Sequence, residues 1–265
     1  ISNMIKKALT SVLMLICSFA MSQKLTSTMV SSTSLLCDTY IGFDTLGDSY
    51  YIKDNVFTKK SKSKMWFYKN VVLGKITAVD IINPLQIVLF YEQFNTVILL
   101  DNQLNEIQKI NFSRLEVPIM TSNVSFSGRN QLWIYNTINQ KLGLFDTTKN
   151  TINEFAIPVQ GTIKHSQSDF NNFYWIDDFN NCYSCTIFGK TTLLCNVPAY
   201  DHIQIIDKER LLFSVNNKLY ILNYIKKSIF EIEIVENSFD NFYYKDQILA
   251  IFTDQEIKNF KITLP

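Results

Sequence analysis

Glycine and proline are rare in this 265-residue chain, at seven and five copies, and only two histidines occur, His165 and His202. So little glycine leaves no phosphate-cradling loop, and neither a G-x-S-x-G elbow nor an H-E-x-x-H pair is present. Alanine is scarce and helical periodicity is hard to find beyond the first twenty or so residues, which predicts very little helix. Beyond that point no segment offers the roughly 20 apolar residues without charges that a membrane-spanning helix needs. Charge of either sign is also unremarkable, with 25 Lys+Arg against 24 Asp+Glu. That balance argues against a nucleic-acid footprint. The densest basic stretch, Lys59-Lys60-Ser61-Lys62-Ser63-Lys64, reads as a solvated hairpin turn. What the chain has in abundance is aromatic and β-branched residues, including 20 Phe and 13 Tyr.

The first 22 residues read as an export signal. Lys6 and Lys7 precede the mostly apolar stretch from Ala8 to Ala20, and Ala20-Met21-Ser22 supplies small side chains before Gln23. Cleavage between Ser22 and Gln23 is expected, with residues 1–3 upstream of the true start at Met4. Cys17 follows the bulky Ile16 rather than a small residue, so a soluble periplasmic protein is expected instead of a lipid-anchored one. Residues 23–265 then form one domain, with 23 Lys+Arg against 24 Asp+Glu.

Cys37, Cys182, Cys185 and Cys195 survive that processing, and an even count in an exported protein permits disulfides. The C-x-x-C pair at 182 and 185 lies in a strand-like run, where positions i and i+3 point to opposite faces, unlike a redox motif at a helix start. With two histidines and no second cysteine pair, no zinc set is complete. Buried free thiols are expected; a bridge from Cys182 or Cys185 to Cys195 is the alternative.

A phrase recurs along the chain: an apolar run, an Asp or Asn, a short polar turn and another apolar run. "TVILLDNQL", "LWIYNTINQ", "FYWIDDFNN" and "LYILNYIKK" are examples. Six such units carry anchors at Asp54, Asp101, Asn136, Asp177, Asn223 and Asp254, spaced 47, 35, 41, 46 and 31 residues. Asp and Asn end strands because their side chains accept backbone N–H groups and tolerate left-handed φ. A period near 40 with four short strands per unit defines a β-propeller blade. Units at 40–70, 74–112, 120–155, 162–196, 201–235 and 237–262 predict six four-stranded antiparallel blades. Five or seven blades fit the spacing less well, and a β-sandwich is the competing architecture. The last unit shows only three strands, so Lys24 to Thr33 is expected to supply the fourth and close the ring. Pro84, Pro118, Pro158 and Pro198 are expected in turns.

Candidate chemistry is thin. His165 and His202 fall on predicted inner strands, where a neighbouring Asp169 or Asp201 would make either a base. Asp44, Asp80, Asp169 and Asp240 fall on first strands and are candidates to ring the channel as paired carboxylates. Turn-capping is the competing role for each. Trp66, Trp133 and Trp175 lie in apolar runs and are expected in blade cores. No catalytic, cofactor or metal residue is assigned, and no cofactor is expected.

Three blocks, "YIGFDTLGDSYYIKDNVFTK", "ITAVDIINPLQIVLFYEQFNTVILLDNQLNEIQKINF" and "NFYYKDQILAIFTDQEIKNFKI", resemble exported propeller proteins of bacteria with a type 9 secretion system. The resemblance spans about Tyr40 to Ile262 and extends to the plug subunit of the type 9 translocon. It implies a non-enzymatic periplasmic protein, monomeric by itself, that docks on an envelope partner such as an outer-membrane translocon barrel. It supplies no catalytic motif. A ligand-binding or hydrolytic propeller acting on glycans or peptides in the channel is the rival, and a deep polar channel with convergent carboxylates would favour it.

Overall fold

The computed structural model describes residues 23–236 and 238–265, so the expected signal segment, its cleavage point and Cys17 lie outside the described residues. Two strands come first, β1 (Gln23–Thr26) and β2 (Thr28–Ser34). Blade one then comprises β3 (Thr39–Phe43), β4 (Ser49–Lys53), β5 (Val56–Lys60) and β6 (Met65–Tyr68). Blade two holds β7 (Ala78–Asp80), β8 (Ile87–Tyr91), β9 (Thr96–Leu100) and β10 (Glu106–Asn111). Blade three holds β11 (Thr121–Gly128), β12 (Gln131–Asn136), β13 (Lys141–Asp146) and β14 (Thr151–Glu154). Blade four holds β15 (His165–Ser168), β16 (Asn172–Ile176), β17 (Asn181–Thr186) and β18 (Thr191–Asn196). Blade five holds β19 (His202–Ile205), β20 (Arg210–Val215), β21 (Lys218–Asn223) and β22 (Ser228–Glu233). Blade six has β23 (Asn241–Lys245), β24 (Ile248–Phe252) and β25 (Glu256–Lys261). Each blade is an antiparallel meander, and the described residues include no α-helix.

The apolar runs are continuous because every blade is packed between two others. Along β8, Val88 and Phe90 join the cluster shared with blade three, while Ile87, Leu89 and Tyr91 join the cluster shared with blade one. The period-2 alternation of a strand therefore directs apolar side chains to both faces. Six such clusters occupy the six seams between neighbouring blades, including that between blades six and one. A seam for every blade means a closed ring of six, not a sandwich. Trp133 and Trp175 are buried in the seam of blades three and four, and the partly buried Trp66 packs in that of blades one and two.

The anchors do end strands. Asp101 accepts the N–H groups of Gln103 and Asn105, and Asp177 those of Phe179 and Asn181. Asp54 and Asn55 adopt left-handed φ of 50° and 56° in a two-residue turn. Their uneven spacing has a simple cause. Asp54, Asn136, Asp177 and Asp254 follow the second strand of a blade, whereas Asp101 and Asn223 follow the third. Measured instead between the starts of β4, β8, β12, β16, β20 and β24, the steps are 38, 44, 41, 38 and 38 residues. Pro84, Pro118, Pro158 and Pro198 all lie between strands.

Closure uses the N-terminal segment, with one difference from expectation. β2 is the outer strand of blade six, antiparallel to β25, as the missing strand required. Lys24 to Thr26 does not join it: β1 runs parallel to β22 as a fifth strand on blade five. Between them Ser27 hydrogen-bonds the carbonyl of Glu233, 2.5 Å away, so one extended stretch ties two blades together.

Candidate functional site

The first strand of every blade stands innermost, and neighbouring first strands touch around the axis. They enclose a central cavity of about 1040 Å³. Side-chain hydrogen bonds join several of these strands. Gln167 donates to the carbonyl of Ile205 (2.7 Å) and accepts its N–H (2.9 Å), and Gln204 treats Tyr244 the same way (2.8 and 2.7 Å). Asp80 accepts the N–H of Phe126 (2.8 Å), Asn123 donates to Ser166 (2.8 Å), and Asn241 donates to the carbonyl of Tyr40 (3.2 Å). Much of the polar lining is thus spent on holding the ring. Gly42, with φ of 148°, allows Tyr243 to approach; a Cβ there would sit 2.9 Å from its ring.

Both histidines line the cavity, as expected of first strands. Neither has the carboxylate that a base needs. Nε2 of His165 is sealed and has no hydrogen-bond partner, and burial lowers its pKa to about 4, so the imidazole is neutral. His202 is exposed. Of the four candidate carboxylates, Asp80 and Asp169 reach the cavity, and Asp44 and Asp240 do not. Asp44 lies one residue past the end of β3 and is buried, accepting the N–H groups of Leu46 and Asp48 and the hydroxyl of Tyr50. Lys59 sits 3.8 Å from it and 3.2 Å from Asp48. Asp240 precedes β23 on the exposed surface. Asp169 caps its own turn, accepting the N–H groups of Asn171 and Asn172 and the Tyr174 hydroxyl. Asp80 accepts two backbone N–H groups, and its burial raises its pKa. A turn or structural bond therefore occupies each carboxylate that was a catalytic candidate on the cavity.

Residues that sequence reasoning missed include the ion pair of Asp207 and Arg210 (2.6 Å), with Asp246, Tyr243 and Tyr244 on the same lining. Among the described residues no three His, Cys, Asp or Glu side chains gather as a metal site. A second cavity, about 110 Å³ in the seam of blades three and four, is lined by Leu142, Phe155 and Trp175. It is small beside the roughly 300–1,000 Å³ of ligand pockets. Cys182 and Cys185 point into opposite seams, as their spacing on β17 demands, and the four cysteines among the described residues are free thiols.

The two faces of the ring differ. One carries the connections between blades and the turns after second strands; the other carries the turns after first and third strands. On the first face Val71, Val72, Val117, Ile138, Ile157, Phe179 and Val235 are all exposed, each by 68% or more. The same face is acidic from blade four round to blade one. There, the connections at 177–180, 197–201, 216–217, 234–240, 253–255, 35–38 and 54–55 contain eight carboxylates and no lysine or arginine. Lysines concentrate at the opposite rim, in the turns that hold Lys62, Lys64, Lys149, Lys190, Lys226 and Lys227.

No protein-family model and no curated protein matches the sequence. Solved structures do resemble the fold. The β-propeller domain of Cps50 (Swd1) from Myceliophteria thermophila matches with a TM-score of 0.58 and 10% identity, over 89% of this chain and 100% of that one. Virginiamycin B lyase from Staphylococcus aureus matches at 0.56 and 14%, over 91% of this chain and 96% of its own. BBS1N, crystallised in complex with ARL6DN, matches at 0.53 and 10%, over 91% and 98%. At such identities the likeness is one of fold: this chain is a six-bladed β-propeller.

Proposed function

We propose that this propeller is a non-enzymatic periplasmic protein that docks onto another envelope protein through the face carrying its inter-blade connections. The observation that carries the proposal is that face, where exposed Val, Ile and Phe side chains stand beside an acidic crescent. Aromatic and aliphatic anchors with a polar surround suit a reversible protein interface, and loops on a rigid ring suit its presentation. The capping roles of Asp80 and Asp169 and the unpartnered His165 speak against acid–base chemistry at the axis. BBS1N is a propeller crystallised with a protein partner, which makes docking a use this architecture supports.

The finer proposal follows the resemblance: the partner is the periplasmic opening of a type 9 translocon barrel, plugged while no substrate passes. Purifying a tagged copy from solubilised envelopes and identifying what accompanies it tests both levels. The barrel should be recovered with the wild type and lost with Val72→Asp or Phe179→Asp, while Phe188→Asp, on the opposite face, retains it. Barrel preparations that lack the protein with and without substrate would end the plug reading. Loss of every partner in the Phe188 variant alone would end the choice of face.

The size of the central cavity favours a second reading, a propeller that binds a glycan or peptide at its axis, and virginiamycin B lyase is an enzyme of similar fold. Half of the condition for that rival is met, a deep and partly polar channel, and the other half, convergent free carboxylates, is not. Saturable binding of oligosaccharides or peptides by the purified protein, abolished by His165→Phe, would move the assignment to the axis.

A further inference from the structure

Cys182 and Cys195 stand directly opposite one another on the antiparallel strands β17 and β18 of blade four. Opposed residues in such a pair have Cα atoms about 4.5–5.5 Å apart, within the roughly 4.4–6.8 Å that a disulfide spans. Their side chains also leave the sheet on the same side, since both pack in the seam of blades four and five. Neither alternative partner is placed to compete. Cys185 points into the seam of blades three and four, and Cys37 packs beside the seam of blades six and one. The two thiols differ in access: Cys182 is fully buried and Cys195 is partly exposed.

We propose that Cys182 and Cys195 are a modification site, a dithiol that dithiol–disulfide exchange converts into a cross-strand disulfide. The oxidant is a disulfide, RSSR, of a small thiol or of an exchange enzyme. The Cys195 thiolate attacks one sulfur of RSSR, forming a mixed disulfide and releasing RS⁻, which takes up a proton. Cys182 then loses its proton and attacks the Cys195 sulfur, forming the protein disulfide and releasing the second RS⁻. Two thiols are oxidised and one RSSR is reduced to two RSH. The order of attack follows from the surroundings. The neighbouring Cys182 thiol holds the Cys195 thiol below its ordinary pKa, and the same proximity together with burial pushes Cys182 up. The reachable sulfur is the one that ionises first, and the sealed one resolves the intermediate.

The bond would fasten β18, the outer strand of blade four, whose residues Thr191, Thr192 and Leu193 are exposed. A register shift beside Cys182 already interrupts the ladder between these strands. Fixing the free edge there reduces the number of unfolded states as well as the fraying of the strand.

The test uses the purified protein, reduced with dithiothreitol or oxidised with glutathione disulfide, then alkylated, digested and mapped by mass spectrometry. Oxidation should remove about 2 Da and yield a peptide pair linked between Cys182 and Cys195. The melting temperature should rise by roughly 5 °C over the reduced form. Cys195→Ser should abolish both changes, and Cys185→Ser should leave both. Should Cys182→Ser fail to fold, the wild-type peptide map decides the question by itself. Alkylation of both thiols after oxidation, a link through Cys185 or Cys37, or glutathione retained on Cys195 would each overturn the proposal.

Discussion

In blade two the four strands follow one another from Ala78 to Asn111, and every residue of the central strands β8 and β9 is buried. In blade six, three strands end at Lys261 and the fourth, β2, comes from the other end of the chain, with all seven of its residues exposed. The same plan is thus held in two ways. Blade two relies on apolar area removed from water on both faces of its sheet. Blade six adds its outer strand through backbone hydrogen bonds, with side-chain help such as Ser32 on Glu256 (2.6 Å). A donated strand contributes little packing of its own, yet without it β25 becomes the unprotected outer edge of blade six.

The comparison breaks most visibly if the donated strand is removed. Deleting residues 23–34 leaves the outer edges of β25 and β22 unpaired. We expect the melting temperature to fall by roughly 10 °C or more, or the protein to aggregate, although none of the side chains from 24 to 34 is fully buried. Thermal melts with size-exclusion chromatography measure this. A truncated protein that stays monomeric and melts with the full-length one would show that the ring does not depend on its clasp.

Point substitutions sharpen the contrast. Leu89 on β8 is 0% exposed and packs in the seam of blades one and two. Leu89→Ala should cost about 2–5 kcal/mol, the transfer of the lost methyl groups plus the cavity left behind. Thr33→Ala on exposed β2 should stay within about 0.5 kcal/mol. Urea titrations of both variants give the two numbers. Equal costs would mean that blade six is packed as blade two is and that its strand is not held by the backbone.

The plan of the blades was readable because burial on both faces writes an uninterrupted apolar run for each central strand, and the turns between runs need Asp or Asn. β8 and β9 announce themselves as "IVLFY" and "TVILL". Even the clasp was readable, from a strand missing after Ile262. What could not be read was how the axis is bonded. The inner strand "HSQS" carries no hydrophobic pattern, and the hydrogen-bond partners of inner strands lie a whole blade away, as Gln167 with Ile205 and Gln204 with Tyr244. Asp44 and Asp240 were misplaced for a related reason. Each sits one residue outside an inner strand, as Asp169 also does, and there the local turn rather than the strand aims the side chain, as when Asp44 turns to the N–H groups of Leu46 and Asp48. The uneven anchor spacing likewise hid a regular repeat, because nothing in an isolated Asp tells which turn of the blade it closes.

A further effect, smaller than those of the clasp and of Leu89, belongs to neither blade but to the axis, at His165 of blade four. With its Nε2 sealed and unpartnered, the imidazole is neutral in the folded protein, at a pKa of about 4 against roughly 6.5 for an unfolded chain. A histidine whose folded pKa is depressed contributes stability that is fully present above the unfolded pKa. That contribution is lost as the pH falls from about 6.5 toward 4, because the unfolded chain takes up a proton that the folded one refuses. Between pH 7 and pH 5.5 the loss should be about 1 kcal/mol. Lys164, Asp169, Asp201 and His202 share the lining, so the readout is the difference between wild type and His165→Gln, not the raw slope. Denaturant titrations at the two pH values should give the variant the flatter dependence by that amount. Parallel curves would mean that the His165 imidazole meets water or an acceptor at the axis, and the cavity would then be wetter there than its lining implies.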